Sequence, residues 1–289
     1  MQPLAERNQA FNGRYEIPTF AEVIALAKRK AADAGRTIGV YPETKHPTFH
    51  QTLALPLEER VLDELTRAGW NRADAPVFIQ SFEVSNLQYL RSRTRVKLVQ
   101  LIDGDDVAPD GTVTLAPPYD KPYDWAVRGD PRTFKDMLTP AGLREIAGYA
   151  DGIGPWKPYL MSAKCITVSG NGCADANGDG VVNEMDRVLL PPTAVVADAK
   201  AAGLLVHPFT FRNEPRRLAS DYKGNPAAEY LRFFEMGVDG LFSDFSETAY
   251  AARAEFLLKH YPQLAACIKR EPGAASDPLC RATGFGPRR

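Results

Sequence analysis

The 289-residue chain contains no run of 18 or more apolar residues, so its sequence offers no membrane-spanning helix. Its opening, Met1-Gln-Pro-Leu-Ala-Glu-Arg-Asn-Gln-Ala10, lacks the basic-then-apolar pattern of a secretory signal. A formal net charge of -1 gives no basic excess of the kind nucleic acid or an anionic membrane surface selects. No Gly-x-Gly-x-x-Gly follows any apolar segment, which disfavours a dinucleotide fold. Only four histidines occur, and none lies within either pair of cysteines, which argues against zinc. The cysteines themselves fall into two local pairs, Cys165 with Cys173 and Cys267 with Cys280. Even numbers and short spacings suit two disulfides in an oxidising compartment, with four independent thiols as the alternative.

What is present is a rhythm. At 44% hydrophobic and 25% charged the chain can bury a sizeable core. Thr19 and Glu22 form a capping box before a helical stripe at Phe20, Val23, Ile24 and Ala27, which Gly35 stops. The strand Thr37–Glu43 follows, then a helix through Val61 and Leu65. Strands at 77–82, 96–102, 150–156, 204–211 and 238–244 alternate with helices around Leu87, Leu143, Val196, Leu231 and Ala252. Such alternation argues for parallel strands with crossover helices, and a (β/α) barrel places function at the carboxyl ends of its strands. Two long connections, 103–132 and 159–192, both follow a strand and are expected on that face. Six strands do not close an eight-stranded barrel, which leaves an open sheet or a barrel lacking two β/α units.

Two motifs carry chemistry. In Asp175-Ala-Asn-Gly-Asp-Gly-Val-Val-Asn-Glu-Met-Asp186, oxygen ligands stand at positions one, three and five, with glycine at six and a carboxylate at twelve. That is an EF-hand-type calcium loop with ligands Asp175, Asn177, Asp179, the Val181 carbonyl and Asp186. Its carboxyl-terminal flank reads as helical, and the neighbouring cysteine pair suits a structural clip rather than a sensor. The second motif is Tyr41-Pro-Glu-Thr-Lys-His-Pro47. Residues two apart in a strand share a face, so Glu43 and Lys45 stand together at its mouth. They could hold a divalent metal and an anion, or merely pair to close a sheet edge.

This second motif resembles the third strand of the glycerophosphodiester phosphodiesterases of periplasmic type. The resemblance continues, in family order, through Phe78-Ile-Gln-Ser-Phe-Glu83, Ala150-Asp-Gly-Ile-Gly-Pro155, Val206-His-Pro-Phe-Thr-Phe211 and Gly237-Val-Asp-Gly-Leu-Phe-Ser-Asp244. It implies a TIM barrel that hydrolyses glycerophosphodiesters to an alcohol and glycerol 3-phosphate with Ca2+ or Mg2+. By that resemblance Glu43 is a metal ligand and Lys45 contacts phosphate. Phe209 stands where many relatives place a tryptophan beside the glycerol, with plain barrel core as its alternative. Gln80 either lines the mouth or packs within the sheet. The strands bearing the family's His-Arg-Gly and Glu-x-Asp motifs, with the acid and base histidines, are absent. The expectation is therefore an amino-terminally truncated relative, inactive as it stands; the competing reading is a non-catalytic calcium-binding module. The cysteine pairs and the resemblance place it in a periplasm or outside the cell.

Overall fold

The computed structural model describes residues 7–269 and Cys280. Four parallel strands form the centre, in the order Phe78–Ser81, Lys97–Ile102, Gly152–Pro155 and Leu205–Val206. Their register sets Gln80 against Val99, Val99 against Gly152, and Val206 against Ile153. The flanking segments expected as full strands appear as isolated parallel bridges, Val40 with Val77 and Glu43 with Gln80 on one side, Phe211 with Ser243 on the other. Proline explains the interruption: Pro42 and Pro208 have no N–H to donate, although both accept, from Gln80 and Phe242. Counting these flanks, the six expected strands all run parallel, as in a TIM-type α/β barrel.

Helices cover the outer face. The first, Phe20–Ala34, begins with the expected capping box, Thr19 and Glu22 each accepting from the other's backbone N–H, and ends at Gly35 in the left-handed region. Thr139 caps Pro140–Ala147 and Asn225 caps Pro226–Glu235. Leu143, Ile146 and Tyr230 of these helices, with Leu65 of Leu57–Arg67 and Leu87 and Leu90 of Val84–Arg93, share one buried cluster with Leu98 and Ile153 of the sheet, and all are essentially inaccessible. Inside the sheet the fit is close. A Cβ on Gly154 would stand 2.6 Å from Leu101 Cδ2, so any larger residue would force that side chain to move.

Side chains bring the first and sixth strands together. The Tyr41 ring lies 4.8 Å from that of Phe242, and its hydroxyl is 2.9 Å from His207 Nδ1. Burial pushes the His207 imidazole down to about 4, although Asp239 acts in the opposite direction.

The two connections are folded. Residues 106–107 and 113–114 pair antiparallel, and the helix Tyr123–Arg128 follows. In the second, Ala163–Cys165 pairs with Arg187–Leu189 and a smaller hairpin joins 168–169 to 172–173. The helix expected after the calcium-type loop is a single 3-10 turn, Glu184–Asp186, because the chain passes at once into that strand pair. Both expected disulfides are formed, Cys165 with Cys173 and Cys267 with Cys280. No helix of the described residues is long and apolar enough to cross a membrane.

His207 makes a pH prediction. Between about pH 6.5 and 4 only the unfolded imidazole takes up a proton, so stability attributable to this residue falls as acid is added. Urea denaturation of the wild type and His207→Gln across that range should show a differential loss on the order of 3 kcal/mol in the wild type. Parallel profiles would remove His207 as the cause.

Candidate active site

At the carboxyl ends of the strands a cleft of about 640 Å³ opens. Asp103 enters it from the end of Lys97–Ile102, Trp156 from the end of Gly152–Pro155, and Phe209 from the fifth strand. Trp156 bridges to Phe209 and lies against Gly104, where a Cβ would come 3.0 Å from the indole. That contact fixes the ring beside the Asp103-Gly-Asp-Asp106 tract.

The Lys45 charge acts on both Glu43 and Asp103, and the Asp103 charge on Glu43. Partial desolvation raises the Glu43 carboxyl, Lys45 and His46 act against that rise, and the Asp103 charge adds to it. Desolvation likewise raises Asp103, opposed by the Gly104 N–H and by Lys45. Two carboxylates and an ammonium therefore share one field at the mouth. The turn that carries Lys45 is braced from below: His46 adopts φ 55°, Pro47 starts a short helix, and Thr48 N–H donates to Glu83 at 3.0 Å. Burial raises Glu83, against the pull of Thr48.

The other expected positions divide. Phe209 is half-buried and lines the cleft, edge-on to Phe82 at 6.2 Å. Gln80 is buried beneath the mouth, its backbone in the ladder and its Oε1 without a partner. None of the four histidines faces another across the mouth. His207 bonds Tyr41, His260 pairs with Glu235, His50 lies in the short helix Pro47–Thr52, and His46 occupies the turn beside Glu43.

A divalent cation of the Ca2+ or Mg2+ type takes several oxygen ligands. Among the described residues no group of three or more His, Cys, Asp or Glu is disposed to hold one. Glu43 and Asp103 supply two carboxylates at the mouth with Lys45 acting on both, which does not complete a cation's shell. In the calcium-type loop, Asp175 accepts from Gly178, Asp179 and Gly180, and Asp179 from Val181, curling the acidic side chains round the turn. Burial would raise the Asp186 carboxyl, but backbone N–H groups of Asn183, Ala176 and Asn177 outweigh it and hold it low.

Sequence reasoning missed Asp103 as a site residue, reading it as the start of a polar connection. It also missed the pair across the outer cleft, where Lys157 Nζ lies 2.6 Å from Glu229 Oε1 and 5.3 Å from the centre of the Phe211 ring. The signal was present: Glu229 stands four residues before Phe233 on the buried stripe of its helix, a place where a charge needs a reason.

A model of the Glycerophosphoryl diester phosphodiesterase family matches residues 2–248. The Arabidopsis thaliana glycerophosphodiester phosphodiesterase GDPD6 is 30% identical over 253 residues, 83% of this chain and 56% of that protein. A glycerophosphodiester phosphodiesterase of Haemophilus influenzae is 24% identical over 257 residues, 86% of this chain and 61% of its own. The chain thus spans between half and two thirds of these curated relatives. A crystal structure from Silicibacter pomeroyi, assigned to the glycerophosphoryl diester phosphodiesterases, aligns at TM-score 0.48 and 14% identity, over 83% of this chain and 57% of that one.

Breaking the Lys157–Glu229 pair leaves a buried charge uncompensated. Glu229→Ala should cost about 3–5 kcal/mol in chemical denaturation, and the double change Lys157→Met with Glu229→Leu distinctly less. Equal losses for the two proteins would mean that the pair itself carries no coupling.

Proposed function

Because the chain belongs to the glycerophosphoryl diester phosphodiesterase family, we propose that its mouth recognises a glycerophosphodiester and that the reaction served is hydrolysis to an alcohol and glycerol 3-phosphate. The observation that carries this reading is the mutual influence of the Glu43, Lys45 and Asp103 charges at the carboxyl ends of the first and third strands. Lys45 neutralises nonbridging phosphoryl oxygens, where charge must be met in both ground and transition states. Glu43 and Asp103, each with raised proton affinity and each acted on by the Lys45 charge, can accept hydrogen bonds from glycerol hydroxyls. Phe209 and Trp156 form the apolar wall against which the glycerol carbons lie; Gln80 stays buried in the sheet, its Oε1 unpartnered. The family resemblance implies Ca2+ or Mg2+ there, but the two carboxylates present do not complete its shell, so no step here runs through a metal.

The chain as it stands recognises the diester better than it cleaves it. General acid–base catalysis contributes roughly 10²–10⁴-fold and requires groups within hydrogen-bond reach of the reacting oxygens. His207 and His260 are engaged elsewhere, and no other pair of histidines spans the cleft. The 289-residue chain should therefore show no hydrolysis of glycerophosphocholine above background with calcium present. Clear turnover that Glu43→Ala abolishes would overturn that. Binding is the positive test: Lys45→Ala should weaken glycerol 3-phosphate at least about tenfold in calorimetry, the loss of one charge-assisted hydrogen bond.

The second part of the reading is structural calcium in the Asp175–Asp186 loop. Three carboxylates and one amide at the ligand positions of the twelve-residue loop, beside the Cys165–Cys173 disulfide, support it. Millimolar calcium should raise the melting temperature, a chelator should reverse the rise, and Asp175→Ala should abolish it. No shift in the parent protein would remove calcium from that loop. Both disulfides suit a periplasmic or secreted setting.

A further inference from the structure

On the face opposite the mouth, the connections that lead into Phe78–Ser81 and Lys97–Ile102 enclose a cavity of about 450 Å³. Four of the eight residues lining it are arginines, Arg72, Arg91, Arg93 and Arg95, and none carries a carboxylate. The net charge of -1 for the whole chain conceals this local excess. The walls are tied to each other. Thr94 is buried; its Oγ1 donates to Asn71 Oδ1 at 2.6 Å and accepts from the Val96 N–H at 3.0 Å. Asn71 in turn donates to Thr66 Oγ1 at 3.0 Å.

Carboxylates from outside the lining answer two of the four charges. Arg72 pairs with Asp74 and donates to the Gly69 carbonyl, while Arg91 pairs with Asp151 and donates to the carbonyls of Tyr149 and Val96. Arg93 and Arg95 are exposed, and among the described residues no carboxylate pairs with either. Arg93 lies instead over the Tyr89 ring, 5.2 Å from its centre. Thr94 between them is extended, at φ -140° and ψ 160°, so the two arginines stand on one side of the backbone while Thr94 turns inward. Roughly half a negative charge at the carboxyl end of Val84–Arg93 offsets only part of the remainder. Like charges gathered round one cavity repel, and an anion that enters it relieves the repulsion.

We propose that this cavity binds a phosphate monoester group, at a site separate from the mouth, with Arg93 and Arg95 as its principal cations and Arg72 on the facing wall. The charge left over selects that class. A phosphate monoester carries roughly -1.5 to -2 near neutral pH, and its terminal oxygens accept paired hydrogen bonds from guanidinium groups. A lone carboxylate brings a single charge and leaves part of the excess unmet. The cavity's volume falls within the usual range for a small-molecule site. Free phosphate and the headgroup of phosphatidic acid offer the same chemistry.

Calorimetry with inorganic phosphate and with acetate, and co-sedimentation with phosphatidylcholine vesicles with and without phosphatidic acid, test the site. Both are carried out on the full chain bearing Lys45→Ala, so that phosphate held at the mouth does not enter. Phosphate should bind at least about tenfold more tightly than acetate. Arg93→Gln and Arg95→Gln should each weaken it at least about fivefold, and the double change should bring it to background. Both side chains are exposed and hold no carboxylate, so these variants should melt with their parent. Phosphate binding that the variants lose identifies a soluble ligand. Sedimentation with phosphatidic acid that the variants lose, without binding of free phosphate, identifies the lipid headgroup; either result upholds the site. Binding that survives the double change, equal affinity for acetate, or no binding to phosphate or vesicles overturns it.

Discussion

Parallel pairing delivers every strand's carboxyl end to the same side of the sheet, and the chemistry of this chain follows from that constraint. Asp103, Trp156 and Phe209 come from three strands and are separated by up to 106 residues, yet they line one cleft because their strands all point one way, and the Asp103 charge reaches Glu43 on a fourth. The arrangement costs the strands their regularity at the flanks. Pro42 and Pro208 break the ladder where the backbone approaches the mouth, and the hydrogen bonds they still accept keep the chain in register.

The polar groups under the mouth show how the active face is held. Glu83 accepts from Thr48 and so fixes the left-handed turn at His46, which in turn aims Lys45. Tyr159 donates to the Asp103 carbonyl at 2.8 Å, clamping the strand end that carries the second carboxylate. On the opposite side of the barrel, Tyr41 and His207 link strands one and five through a neutral imidazole. The contact is polar but uncharged, which suits a site from which water is largely excluded.

Much of this was legible in the chain itself, for physical reasons. Capping residues and helical stripes are local, so Thr19 marked a helix start correctly. Short apolar runs between glycines gave the order of the strands, and the Glu43-Thr-Lys45 alternation placed two site residues on one face. Contacts between distant segments were hidden. Nothing near Lys157 announces Glu229, 72 residues away, and nothing in Asp103 distinguishes it from the two aspartates that follow it until Trp156 packs on Gly104 between them. The flank after Asp186 misled for a related reason. Its polar and apolar spacing suits a helix, but pairing with Ala163–Cys165 draws it into a strand.

The second connection is fastened to the first connection and to the Ser220–Tyr222 turn by a few polar bonds. Arg187 donates to the carbonyls of Val107, Ala108 and Ala163, and residues 220 and 221 hang from the strand that follows. One wall of the cleft is thus a cassette whose ends lie close together and whose strand pairing is its own. An exchange of that cassette would reshape the cleft while leaving the strand ends where they are.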